Sequence, residues 1–133
     1  MSKTAAAIEA ARAEGRSAFV GYLPAGYPDK ETSIAAAIEL VRGGADVIEI
    51  GIPYSDPVMD GPVIQQATTE VLARGFRISE VFEIVEAVTE ATDAAVLVMT
   101  YYNLIDRMGA DEFARRLAEA GGSRGDHPRP DPG

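Results

Sequence analysis

The sequence predicts an α/β fold with a parallel sheet. Short apolar runs that end in proline- and glycine-containing loops alternate with stretches whose apolar residues recur at helical spacing. One of these runs, residues 46–51, is apolar on both faces after its opening Asp46 apart from Glu49, the pattern of a strand covered above and below. At 47% apolar and 25% charged residues the chain has ordinary globular composition, so most of it is expected to fold. Strands alternating with helices imply right-handed crossovers between parallel neighbours.

Residues 4–14 are alanine-rich and helical, with Ile8 as the single large apolar anchor, and read as an appendage that must lean on other elements. Residues 18–23 form an apolar strand closed by Pro24 and Gly26. Asp29 caps a helix striped by Ile34, Ile38 and Val41 and ended by Gly43 and Gly44. The second unit has a strand at 46–51 and a loop at 53–61, with prolines at 53, 57 and 62; Pro62 suits the first turn of a helix. Val63, Ala67 and Val71 mark that helix, Gly75 stops it, and Ser79 is expected to cap another striped by Val81, Ile84, Val85 and Val88. Residues 94–99 form the third strand, and Phe113 and Leu117 stripe a last helix ending at Gly121.

Several function classes drop out early. Twelve Lys and Arg against 21 Asp and Glu leave a net charge of −9, which opposes phosphate backbones and anionic lipid. With no cysteine and the single His127, neither a disulfide framework nor a Cys/His metal site can form, and none is expected. No apolar run approaches the roughly 20 residues of a membrane span, and a cytoplasmic protein is the expectation.

By two-residue alternation Val47, Glu49 and Gly51 share one face of the second strand, and Ile48 and Ile50 the other. An unpaired carboxylate there is costly when charged, so its pKa is expected to rise. Glu49 reads either as a proton-transfer group or as a structural carboxylate satisfied by a cation or backbone donors. Asp56 and Asp60, in the following loop, read either as turn and helix-entry residues or as site residues, since loops after the strands' carboxyl ends face the ligand in parallel α/β folds. Glu49 and Asp60 could then approach one substrate from different directions, a usual acid/base arrangement. Tyr22 ends the first strand, and Thr100, Tyr101, Tyr102 and Asn103 end the third at the same rim. Their rings could sandwich a flat ligand or pack beneath loops. No P-loop or G-x-G-x-x-G string appears.

Three strings are specific: GYLPAGYPD at 21–29, GADVIEIGIPYSDPVMDGPVIQ at 44–65 and MTYYN at 99–103. Together they closely resemble the tryptophan synthase alpha chain family, from about residue 4 to 121. Leu104 departs from the proline often found there. The resemblance implies a (β/α)8 TIM barrel, of which about the first three β/α units are present in residues 1–121. It implies retro-aldol cleavage of indole-3-glycerol phosphate to indole and glyceraldehyde 3-phosphate in tryptophan biosynthesis. It also implies no metal or organic cofactor of the chain's own, and an α2β2 assembly with a beta chain to which the pyridoxal phosphate belongs. The family's catalytic glutamate and aspartate fall on Glu49 and Asp60. By resemblance Glu49 shuttles protons, including the one placed on indole C3, and Asp60 accepts from the indole N–H. Tyr22, Met99 and Tyr101 would line the indole pocket, while Pro53, Asp56, Pro57 and Asn103 would face the beta chain. Other phosphate-sugar barrels, such as epimerases or decarboxylases, fit less well, because this sequence has no lysine or histidine near the second strand and because the matching string is long.

A barrel of this kind takes about 250 residues and eight strands. With three strands legible, the sheet is expected to stay open, with an exposed parallel edge and poor solubility. The family's phosphate loops belong to later strands, so this chain alone is expected to be inactive. An alternative is a non-catalytic fragment that docks on the beta chain. From Gly121 onward the residues include four Gly, three Pro and four charges and no large apolar side chain, so residues 122–133 are expected to form an aberrant, disordered tail. Residues 126–133, DHPRPDPG, can be encoded so that reading one nucleotide later spells Ile-Thr-Pro-Asp-Leu-Ile-Pro, which resembles the family's fourth strand and loop. A frameshift near Gly122 is therefore expected, and the coding DNA tests it.

Overall fold

Residues 2–54 and 61–121 are described by the computed structural model, with only the backbone at Tyr102 and Asn103. Asp56, Pro57, Asp60 and the tail at 122–133 lie outside the described residues. Three strands, β1 (Val20–Pro24), β2 (Val47–Gly51) and β3 (Ala95–Met99), pair in parallel in the order β1-β2-β3. The register sets Tyr22 beside Glu49 and Glu49 beside Leu97. Around them lie helices α1 (Lys3–Ala13), α2 (Lys30–Arg42), α3 (Pro62–Ala73), α4 (Ser79–Ala91), α5 (Tyr102–Met108) and α6 (Ala110–Ala120).

The alternating pattern sorts the sheet's two faces as expected. Ile48, Ile50 and Val96 join the main apolar core with Leu23 and Val98, beneath the helical layer. In that layer α2 packs on α4 and α4 on α6. The stripe of α4 is its centre: Val81, Ile84, Val85 and Val88 are all fully buried, each burial stabilising by roughly 1.5–3 kcal/mol. Phe82 meets Phe113 of α6 edge to face at 5.6 Å, and the Arg116 guanidinium lies 4.5 Å above the Phe82 ring. On α2, Asp29 caps the helix by accepting from the Thr32 N–H at 2.7 Å, and small buried Ser33 and Ala37 let the helix approach the sheet. Gly121, at φ 103°, closes α6.

Several local expectations change. Ile8 is 42% exposed, and the buried residue of α1 is Ala11, small enough for close approach; α1 packs on β3 rather than on the helical layer. Val63 is exposed because the first turn of α3 stands clear of the layer, and burial begins at Ala67. Ser79 is the first residue of α4 rather than its cap. The capping part falls to Glu80, whose carboxylate accepts from the Arg77 N–H at 2.9 Å while the chain enters the helix through short turns at Arg77 and Ile78. The seven-residue α5 was not foreseen, since so short a segment shows no period to read. Among the described residues no helix is long and apolar enough to cross a membrane.

Candidate active site

Glu49 lies in the middle strand, two residues before its carboxyl end, on the face turned away from the helices. Cover on that face thins from one end of the sheet to the other. Val47 and Ala95, near the amino ends, are fully buried; Glu49, Tyr22 and Leu97 are half-buried; Met99 at the far end is 37% exposed. The carboxylate thus stands on a sheet face whose cover falls away toward the strands' carboxyl ends. Tyr22 leans across β2: a β-carbon on Gly51 would stand 2.0 Å from its hydroxyl oxygen. Gly51 is therefore the residue that makes room for the ring beside Glu49.

The loops at this mouth are tied to one another by the backbone. The Ala25 N–H donates to the Gly51 carbonyl at 2.8 Å, and the Ile52 N–H donates to the Met99 carbonyl at 2.9 Å, extending both ladders past the strands. After β1 the chain turns at Gly26, whose φ of 79° suits glycine. Its N–H donates to the buried Ser33 hydroxyl at 3.1 Å, and its carbonyl accepts from the Arg74 guanidinium at 2.6 Å. The Phe76 ring lies 2.9 Å from where a β-carbon would be. Tyr101, immediately before α5, stacks on Tyr54 with ring centroids 4.8 Å apart and an interplanar angle of 27°.

Of the residues expected at the site, Glu49, Tyr22 and Met99 share one face, and Tyr101 stands at its rim. Pro53 is buried at the root of the next loop, and the backbone of Asn103 lies in the first turn of α5. Tyr54 is the residue that sequence reasoning passed over; its signal is an aromatic ring three positions past the end of β2, opposite the aromatics past β3. Among the described residues no group of three or more His, Asp or Glu could hold a metal ion. A half-buried carboxylate beside Tyr22, on the face whose far end is flanked by the stacked Tyr54 and Tyr101, has the chemistry to exchange protons with a flat, weakly polar ligand.

The opposite end of the sheet is held by a different device. The Arg16 guanidinium makes two bonds of 2.9 Å to the Asp46 carboxylate, which also accepts from the Phe19 N–H at 2.8 Å; Glu14 completes the group at 2.7 Å. The Arg16 hydrogen bond, then the Phe19 N–H, push the Asp46 pKa down to about 2, and Asp46 and Glu14 raise that of Arg16.

Three parallel β/α units in sequence order, with the loops past the strands' carboxyl ends gathered together, are the architecture of the opening units of a β/α barrel. The family model described as tryptophan synthase alpha chain matches residues 8–123, and the chain belongs to that family. It is 55% identical over 123 residues to the tryptophan synthase alpha chain of Salinispora tropica, covering 92% of this chain and 46% of that one. The alpha chain of Leifsonia xyli is 52% identical over 123 residues, with 92% and 47% covered. Among solved structures, tryptophan synthase from M. tuberculosis in its aminoacrylate-bound form superposes with a TM-score of 0.88 at 48% identity, over 92% of this chain and 49% of that one. Tryptophan synthase subunit alpha from Legionella pneumophila gives 0.87 at 35% identity, over 92% and 47%. The chain spans about half the length of the curated relatives it matches.

Proposed function

We propose that this chain supplies the first three β/α units, and with them two catalytic carboxylates, of a tryptophan synthase alpha subunit that cleaves indole-3-glycerol phosphate. In this reading Glu49 delivers a proton to indole C3, turning the ring into an electron sink. The bond from C3 to the glycerol carbon then breaks; the hydroxyl on that carbon loses its proton and becomes the aldehyde of glyceraldehyde 3-phosphate, and the electron pair returns to the ring as indole forms. Asp60 accepts from the indole N–H while positive charge develops there. The chemistry is acid/base throughout and asks for no cofactor on this chain. Tyr22, Met99 and Tyr101 hold the ring, and the loop at 53–60 and the segment after Asn103 face the beta chain, which carries the pyridoxal phosphate.

The observation that carries this reading is the position of Glu49: half-buried on the inner face of the middle strand, next to Tyr22, two residues from the mouth. The described residues hold no later strand to contribute phosphate contacts, so the binding energy that would position the substrate is missing from them. Indole release measured on the 133-residue chain alone is expected to be nil. Joined to the remaining units of a relative, the chain is expected to turn over, and Glu49→Gln to lower turnover by ~10²–10⁴-fold. Retained turnover in Glu49→Gln defeats the catalytic reading.

A second reading is docking on a beta chain without catalysis, through the segment that begins at the buried Pro53. Co-purification with a beta chain that is lost in Asp56→Ala yet kept in Glu49→Gln supports it.

A further inference from the structure

The Ile52 N–H donates to the Met99 carbonyl at 2.9 Å, and two residues past each end of that bond the chain presents an aromatic ring, Tyr54 on one side and Tyr101 on the other. The rings stack, with 4.8 Å between centroids and 27° between planes. The two arms of this brace are anchored unequally. On one arm Gly51, Ile52 and Pro53 are all buried, so Tyr54 leaves from a fixed root. On the other, Tyr101 precedes a helix of seven residues, too short to be held by its own hydrogen bonds, and its side chain makes no hydrogen bond capping that helix. The extended backbone of Tyr101, φ −84° and ψ 142°, admits more than one χ1 rotamer; stacking on Tyr54 selects among them.

We propose that Tyr54 is a positioning residue for the aromatic end of the substrate: it acts through Tyr101, holding that ring at the angle that receives a flat bicyclic aromatic. The inference rests on the reading of Tyr101 as part of an indole pocket, and adds to it a residue from the neighbouring loop. The benzo ring of the substrate stays aromatic while C3 takes up its proton, so the wall that receives it acts about equally on the bound substrate and on the transition state. Loosening Tyr101 therefore weakens binding and leaves the chemical step alone. That signature is opposite to the one expected of Glu49, whose proton is delivered only as the bond breaks. A ring that merely packed the loop would act on folding stability and leave KM alone.

The test measures turnover in the chain joined to the remaining units of a relative. Tyr54→Leu is expected to raise KM for indole-3-glycerol phosphate by ~3–10-fold while kcat and its pH profile stay in place. Tyr54→Phe, which keeps the ring, is expected to keep KM. Tyr101→Leu should raise KM as well, and adding Tyr54→Leu to it should raise KM no further. The 133-residue chain has five tyrosines and no tryptophan, so its near-UV circular dichroism reads tyrosine packing directly; Tyr54→Leu is expected to remove the signal of the stacked pair. If Glu49→Gln turns over undiminished, the catalytic reading fails and takes this inference with it. With Glu49→Gln impaired, that reading stands, and the positioning role alone is overturned by any of four results: an unmoved KM in Tyr54→Leu, a kcat that falls with KM unchanged, a Tyr54→Phe that behaves as Tyr54→Leu, or an unaltered near-UV spectrum.

Discussion

The Tyr22 hydroxyl occupies the space in which a Gly51 side chain would begin, 2.0 Å from the ideal β-carbon position. This one overlap, between neighbouring strands, fixes the ring beside Glu49. Gly51→Ala is expected to drive the ring away from β2 and to cost about 1–3 kcal/mol through overpacking. Urea unfolding of Gly51→Ala, of Tyr22→Val and of the double variant checks it: the double variant should recover most of the loss, and additive losses would refute the overlap.

The Arg16–Asp46 pair makes an acid-sensitive contribution. Because the folded pKa of Asp46 is lowered to about 2 from 3.8, its stabilising effect is full above the unfolded value and fades as pH falls through the interval between the two. Melting temperatures measured from neutral pH downward should show Asp46→Asn below the unaltered chain near pH 7. The gap should narrow between about pH 4 and pH 2. A gap that stays constant across that interval contradicts the assignment.

The turn after β1 should be intolerant of small changes. Gly26→Ala meets both the positive φ and the Phe76 ring, and is expected to cost about 1–3 kcal/mol. Ser33→Ala leaves the buried Gly26 N–H without its acceptor, at a similar cost of about 1–3 kcal/mol. Chemical denaturation of each variant measures both, and values near zero would show that the turn tolerates rearrangement.

The seam between α4 and α6 depends on Phe113. Its truncation in Phe113→Ala removes the edge-to-face partner of Phe82 and opens a cavity, with an expected loss of about 3–5 kcal/mol. Phe113→Leu, which keeps most of the volume, should lose visibly less in the same thermal melts.

The parts of this molecule that could be read from residues alone are those where burial follows a period. The four stripe residues of α4 are all buried because an entire helix face lies on the sheet, and Glu49 sits on the predicted face because alternation leaves a strand no other choice. Ile8 and Val63 misled because hydrophobicity says that a side chain prefers cover, not that cover reaches it; Ala11 and Ala67 fill those roles with smaller bulk. The cap of α4 moved from Ser79 to Glu80 because a short-range turn at Arg77 had already fixed the entry geometry. Tyr54 went unread for another reason. Its partner Tyr101 is 47 positions away in sequence, and a contact between two loops leaves no periodic trace in either. Asp60 could be read as a candidate from its place in the loop after β2, with turn and site readings side by side, and the string around it supplied a role only by resemblance.

Arg16 and Asp46 fasten the first two strands at one pole of the sheet, whereas Glu49 and its aromatic neighbours gather at the other. Durability and selectivity are thus wired to separate ends of the same three strands. A lineage, or an engineer, can harden the floor by reworking that clasp without retuning the chamber above it.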